Sequence, residues 1–196
     1  MVLTKKQIFY DTDCLSSFLE INDWSILQHL FDEITIPNAV HEDFNSLPSS
    51  SLIIKNLEIL IDANFVKIDD INPFSKVYDI YRDIKKEYEL NEGKLLGDGE
   101  AEAMAFVVSK KGILASNNFR DIKYFVDKYE MALLTSAYMI CISVDDGFIP
   151  TEKASDIWNQ MWDNGVNLPK LTFEEYYYDG QYESDYNDFG KRVNFK

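Results

Sequence analysis

Short apolar runs suited to strands alternate with longer stretches whose apolar residues recur at helical spacing, and this alternation leaves few architectures open. Ile8-Phe9-Tyr10 runs directly into Asp11, with helices predicted from about Asp13 and from about Asp23 through Phe31. Ile34-Thr35-Ile36 precedes Pro37, a residue favoured in a first helical turn. Apolar residues at 53, 54, 57, 60 and 61 give the segment 51–63 a helical period. Phe65-Val66-Lys67-Ile68 reads as a strand, followed by helix over about 73–89. Gly97-Asp98-Gly99 opens a helix over 100–110, Gly112 separates it from the apolar strand Ile113-Leu114-Ala115, and a further helix follows from Asn118. Strands alternating with helices of this size predict an α/β fold, a mainly parallel central sheet flanked by helices on both faces. Sites in such sheets lie beyond the carboxyl ends of the strands.

A chain of 196 residues, 46% hydrophobic and 14% aromatic, can bury a substantial core, which excludes wholesale disorder. The longest apolar run, ALLTSAYMICISV (132–144), is too short and interrupted for a membrane span of ~20 residues. The amino terminus reaches charged residues before an apolar signal core develops, so a cytoplasmic protein without membrane attachment is expected. Cys14 and Cys141, both in apolar stretches, read as small core residues in a reducing compartment. His29 and His41 lack metal-ligand spacing and read as structural or exposed. From 174 to 189 the sequence EEYYYDGQYESDYNDF holds six acids, six aromatics and no base. Composition therefore divides the chain into a domain over 1–173 and an acidic, tyrosine-rich extension over 174–196. That extension reads either as a solvated, disordered terminus or as a segment folded over a basic surface, its own or a partner's.

The acids fall in an ordered set. Asp11 follows the first strand, with Asp13 two residues on; Glu42 and Asp43 lie in the helix after ITIP; Glu100 sits in the first turn after GDG; Asn117-Asn118 ends the strand ILAS. A parallel sheet brings such strand ends to one rim. Each residue alone has a plainer explanation. Asp11 and Asp13 suit a helix N-cap, Glu100 the positive end of a helix, Glu42 and Asp43 a solvated face, and Asn117 a turn. Together they suit metal-assisted phosphodiester hydrolysis. Mg²⁺ and Mn²⁺ take oxygen ligands, lower the pKa of bound water and stabilise charge building on phosphorus, one ion or two ~3.5–4 Å apart. Clustered carboxylates repel one another without a cation. The net charge of −15 runs against nucleic-acid binding, and Arg82, Lys85 and Lys86, Lys110 and Lys111, and Lys191 and Arg192 form only local basic groups. Recruited cations can reverse that local sign.

These motifs resemble the PIN-domain family. FYDTDCLSSF is similar to its opening strand and loop, IPNAVHEDF to its proline–valine–acid segment, and LGDGEAEAMAFVVSKKGILASNNFRDIKYF to the glycine-glutamate-alanine-glutamate helix, strand and acidic turn of a branch related to toxin ribonucleases. LLTSAYMICISVDDGFI and EKASDIWNQMWDNGVNLPKLTFEEYY resemble the branch's closing elements, extending the likeness over roughly 7–176. The resemblance implies a three-layer PIN-like fold and Mg²⁺ (or Mn²⁺) held by Asp11, Asp43 and Glu100. Glu42 rivals Asp43, because the family more often carries glutamate there. The resemblance further implies an amide contribution from Asn117, where the branch usually has aspartate, and a hydroxyl from Thr135 lining the site. The implied activity is endoribonuclease of toxin–antitoxin or defence type, with RNA as substrate, an antitoxin or other regulatory protein as partner, and a homo-oligomeric state. The Asn pair and the charge of −15 leave open a PIN-derived binding or regulatory subunit that has lost catalysis. An unrelated α/β fold whose acids are only caps is the third possibility.

Overall fold

Side chains on a strand alternate between faces, so a strand buried on both sides must be apolar throughout. Three of the five strands are apolar and buried at every position, β1 (Ile8–Tyr10), β4 (Ile113–Ala115) and β5 (Ala132–Leu134), and a fourth is buried throughout but carries Thr35. With β2 (Ile34–Pro37) and β3 (Val66–Asp69) they form one sheet in the order β3-β2-β1-β4-β5, and all four pairings are parallel. The structure is a computed structural model and describes residues 6–48, 51–188 and 190–193. Phe9, Leu114 and Leu133 point to one face, while Ile8, Tyr10, Ile113, Ala115 and Leu134 point to the other.

The first face is covered by α5 (Lys76–Glu92), α6 (Asp98–Lys110) and α7 (Phe119–Lys128). The second lies under α1 (Thr12–Glu20), α2 (Ser25–Leu30), α3 (Asn38–Asn45), α4 (Leu52–Asp62), α8 (Ser136–Asp145) and α9 (Thr151–Asp163). This is the three-layer arrangement expected. Gly112 is required where the turn after α6 enters the sheet, since an added Cβ would stand 2.7 Å from the Gln7 carbonyl and 3.0 Å from the Phe9 ring. Phe9 in turn stacks on Phe106 of α6 at 5.2 Å between centroids. His29 stacks on Phe148 at 4.0 Å, a packing role.

Two boundaries differ from the sequence expectation. Pro37 ends β2 and precedes α3 instead of opening that helix. The helix placed at 73–89 begins at Lys76, because the Asn72 side chain accepts from the Phe74 amide (2.9 Å) and holds Pro73 in a turn. Ser75 then caps the helix by accepting from the Tyr78 amide, and Gly93, at φ 67°, ends it.

The compositional boundary at residue 173 falls inside a helix, α10 (Phe173–Tyr178), whose Phe173 and Tyr176 pack on the buried Trp158 at 5.9 and 5.3 Å. Beyond it lie α11 (Gln181–Asp188) and a single 3₁₀ turn over Gly190–Val193. Tyr177 and Tyr182 both donate to the Asp145 carboxylate of α8, at 2.5 and 2.8 Å. Val193 is fully buried in the main core, and Arg192 donates to the carbonyls of Val126 and Met131 at 3.1 and 3.2 Å. The described part of the extension is therefore packed against the domain. No helix among the described residues is long and apolar enough to cross a membrane.

Val193→Ala is expected to cost about 2 kcal/mol, the transfer term for the methyl groups lost plus a small cavity. Phe74→Ala, at a ring 99% exposed, should be silent. Urea unfolding checks both. Equal midpoints for Val193→Ala and the parent chain would mean that the terminus is not docked in solution.

Candidate active site

Because all strands run the same way, each strand-to-helix turn opens on one rim of the sheet. The strand order reverses between β1 and β4, the place where such sheets form a crevice. Asp11 stands there. Its amide donates to the Ala115 carbonyl of β4 (3.0 Å), and its Oδ1 caps α1 by accepting from the Cys14 amide (2.8 Å). The side chain is shut in at 1% exposure, and Oδ2 has no hydrogen-bond partner among the described residues. Burial, with smaller contributions from the charges of Glu100 and Asp13, raises its pKa from the ordinary 3.8 to about 7, against the opposing pull of the Ser116 hydroxyl and the Cys14 amide.

Glu100 sits in the first turn of α6, half-hidden, its pKa raised mainly by burial and further by Asp121 and Asp13. Its Oε1 accepts from the Asn118 side-chain amide at 2.5 Å. The same amide nitrogen donates to Asp121 Oδ2 at 3.1 Å, so one neutral side chain bridges two acids. Asp121 also accepts from Tyr88 (2.7 Å) and Lys94 (2.9 Å). Burial raises its pKa, but those three hydrogen bonds and the Lys94 charge leave it below the usual carboxylate range. Asp121 was not among the residues the sequence singled out. Its signal was the spacing, an acid three residues after the turn Asn in the first turn of a helix.

Asp43 lies on α3, exposed, with Oδ2 accepting from the Thr12 hydroxyl at 2.8 Å, one residue from Asp11. Glu42 instead accepts from Asn38 of its own helix at 2.9 Å. Gly99 lets α6 approach closely here. A Cβ added to it would meet Val40 at 2.8 Å and Asp43 Oδ2 at 3.2 Å, which places Asp43 beside the residue preceding Glu100. Glu102, the second glutamate of the GEAEA segment, turns to α3 and accepts from the Ala39 amide at 3.1 Å, tying the two helices together.

Asn117 and Thr135 take other positions. The buried Asn117 amide accepts from the Ser136 backbone (2.9 Å) and donates to the Ser136 hydroxyl (3.0 Å), which also meets Ser17 (2.7 Å) and Cys14 (3.5 Å). This polar network lies beneath Asp11. Thr135 caps α8 by accepting from the Tyr138 amide at 3.1 Å. The amide that reaches an acid of the rim is thus Asn118's.

A hard cation needs several oxygen ligands. Asp11 offers a buried oxygen with no hydrogen-bond partner among the described residues, beside Glu100, and carboxylate oxygens of this kind suit Mg²⁺ or Mn²⁺. Among the described residues no three His, Cys, Asp or Glu side chains stand together as a ready cluster. Asp43, Asp13 or Asp121 would have to turn inward to complete one.

The PIN-domain family model matches residues 7–177. Two solved structures share the fold. VapBC2 from Rickettsia felis, bound to a DNA fragment from its promoter, is 14% identical over 65% of this chain and 97% of its own, with TM-score 0.51. DNA-bound VapBC from Salmonella typhimurium is 12% identical over 69% of this chain and 99% of its own, also with TM-score 0.51. No curated protein matches the sequence.

A pKa raised from 3.8 to about 7 means that folded Asp11 keeps a proton which the unfolded chain releases near pH 4. Its contribution to stability is full below about pH 4 and is lost as pH rises through about 7. Asp11→Asn keeps an N-cap acceptor and removes this loss. In metal-free buffer the variant should be more stable than the parent by about 2–4 kcal/mol at pH 8 and nearly equal at pH 4, read from urea midpoints. An identical gain at both pH values would trace the effect to something other than the charge.

Proposed function

The chain belongs to the PIN-domain family, and on that footing we propose that it is a Mg²⁺- or Mn²⁺-dependent nuclease, an endoribonuclease of toxin–antitoxin or defence type. The observation that carries the reading is the buried Asp11 Oδ2, without a hydrogen-bond partner among the described residues, beside a second half-buried acid, Glu100. Two carboxylates held this way are poor at being ionised together in an empty pocket and well suited to a divalent ion.

Asp11, Asp43 and Glu100 would hold the metal, which supplies an activated water and neutralises charge on the phosphate when bound. Asp11 is aimed by the Cys14 amide, Glu100 by the Asn118 amide, and Asp43 by the Thr12 hydroxyl. Asn117 would support the rim through Ser136, and Thr135, whose hydroxyl caps α8 at the end of β5, would orient water or phosphate. Lys94, paired with Asp121, and the exposed Arg120 that precedes Asp121 would give a single-stranded RNA positive charge to approach. Likeness to toxin ribonucleases extends the proposal to a silencing antitoxin or other regulatory protein, to a homo-oligomer and to a cytoplasmic setting.

One observation favours the rival, a subunit that binds without cutting. The amide of Asn118 stands between Glu100 and Asp121, where a carboxylate would add charge to a ligand set. Cleavage of a generic single-stranded RNA with Mn²⁺, Mg²⁺ or EDTA separates the two. The nuclease reading expects metal-dependent cleavage that falls more than about a hundredfold in Asp11→Asn and Glu100→Gln, both losing metal affinity. Asn118→Asp should tighten Mn²⁺ binding and raise cleavage at limiting metal. A melting temperature raised by Mn²⁺ without any cleavage would identify the binding subunit, and neither effect would refute both readings.

A further inference from the structure

Past residue 177, where the family match ends, the chain turns back along its own surface. Asp179 ends α10, Gly180 takes φ 89°, a value that favours glycine, and α11 then packs against α10 and α8. Tyr177 on α10 and Tyr182 on α11 donate to the two oxygens of Asp145, an exposed acid at the end of α8. The Tyr182 ring also packs on Tyr138 at 5.2 Å, and Asp185 accepts from Tyr176 and Gln181, both at 2.8 Å. The latch is thus made at the surface, between phenols and one carboxylate, while the buried Val193 anchors the chain farther on. α11 also flanks the candidate active site. Its Asp185 shares the lining of one cavity, of about 380 Å³, with Asn117 and Thr135, which lie just past β4 and β5. The next residue after Asn117, Asn118, donates to Glu100. From Gln181 to Asp188 the sequence holds three acids and no base.

We propose that α11 is an autoinhibitory strap: latched to Asp145, it holds its acids beside the rim and opposes an RNA strand approaching from the β5 side, and release of the latch lifts it away. The proposal rests on the nuclease reading and adds to it a regulation of the same site. Like charges repel a polyanion over about a screening length, ~10 Å at 0.1 M salt, so acids that share a cavity with the rim act on a strand that reaches it. Opening is inexpensive. Hydrogen bonds to an exposed carboxylate are exchanged for bonds to water, and terminal segments open more readily than a core. Undocking also uncovers Cys141, buried on α8. Its thiol lies near enough to Asp145 and Asp185 for both charges to add to the rise in pKa that burial causes. Cys14, buried on α1 beside Ser136, belongs to the network beneath Asp11 and serves as an internal control.

The test uses the full chain. Tyr177→Phe with Tyr182→Phe keeps both rings and removes both donors to Asp145, whereas Glu183→Gln with Asp185→Asn lowers the charge of α11 and leaves that latch in place. Circular dichroism confirms that each variant is folded. Maleimide labelling, mapped by mass spectrometry, should run at least about tenfold faster at Cys141 in the phenylalanine variant, with Cys14 as slow as in the parent. Affinity for a uridine dodecamer, measured in EDTA so that no strand is cut, should rise about fivefold in both variants at low salt. The gain should vanish near 1 M salt, where the screening length is about 3 Å. Unchanged labelling of Cys141 would show α11 to be a fixed part of the fold and overturn the strap. Unchanged RNA affinity in either variant, or no RNA binding in parent and variants alike, would overturn it by showing that α11 guards nothing. Cleavage with Mn²⁺ in any of these cases would leave the nuclease reading standing. Faster labelling and tighter RNA binding without cleavage under any metal would sustain the strap and sink the nuclease.

Discussion

A parallel sheet delivers the carboxyl end of every strand to the same rim, and here those ends carry acid. Asp11 ends the central strand, Asp43 and Glu100 ride on helices packed beside it, and Asp121 closes the row from α7. Burial and mutual repulsion both favour protons on Asp11 and Glu100, and the protein answers along the rim in two ways. Asp11 takes a proton at unusually high pH, and Asp121 is stabilised by Lys94, Tyr88 and the Asn118 amide. The surrounding structure is arranged around that tension. Gly99 admits α6 close enough to bring Glu100 to the rim, and Glu102 locks α6 to the start of α3.

Much of this was legible in the sequence because it depended on local rules. Apolar triplets buried on both faces announced β1, β4 and β5, and the acid directly after β1 could only face the rim of a parallel sheet. Which of Glu42 and Asp43 meets α1 needed the third dimension. They are adjacent on a helix, and only the crossing of α3 over α1 puts Thr12 beneath Asp43. The Asn pair failed locally in the same way. The two residues point to opposite sides of the turn, Asn117 down to Ser136 and Asn118 up to Glu100, and composition cannot tell which is which. Asp121 was hidden for a further reason. Its partners Tyr88 and Lys94 come from α5 and the turn that follows it, more than twenty residues away along the chain.

The tyrosine-rich segment shows how composition alone can mislead about charge. Three of its tyrosines are set against acids of their own protein, with Tyr177 and Tyr182 donating to Asp145 and Tyr176 to Asp185. Phenols with strongly raised pKa values serve here as permanent donors, so carboxylates in an acid-rich region are satisfied without bases. Part of the charge of −15 is thus solvated internally by hydroxyl groups rather than offered to a basic partner.

The short turn over Gly190–Val193 has a consequence for how copies of this chain can meet. It packs against β5, and Arg192 occupies the Met131 carbonyl immediately before that strand. An uncovered sheet border is a template on which a foreign strand can grow, and here the border at β5 is screened by the protein's own terminus. The opposite border, β3, is four residues long, carries the charged Lys67 and Asp69, and has Asp69 paired with Lys110. Lateral growth of the sheet is discouraged on one side by a physical cover and on the other by brevity and charge.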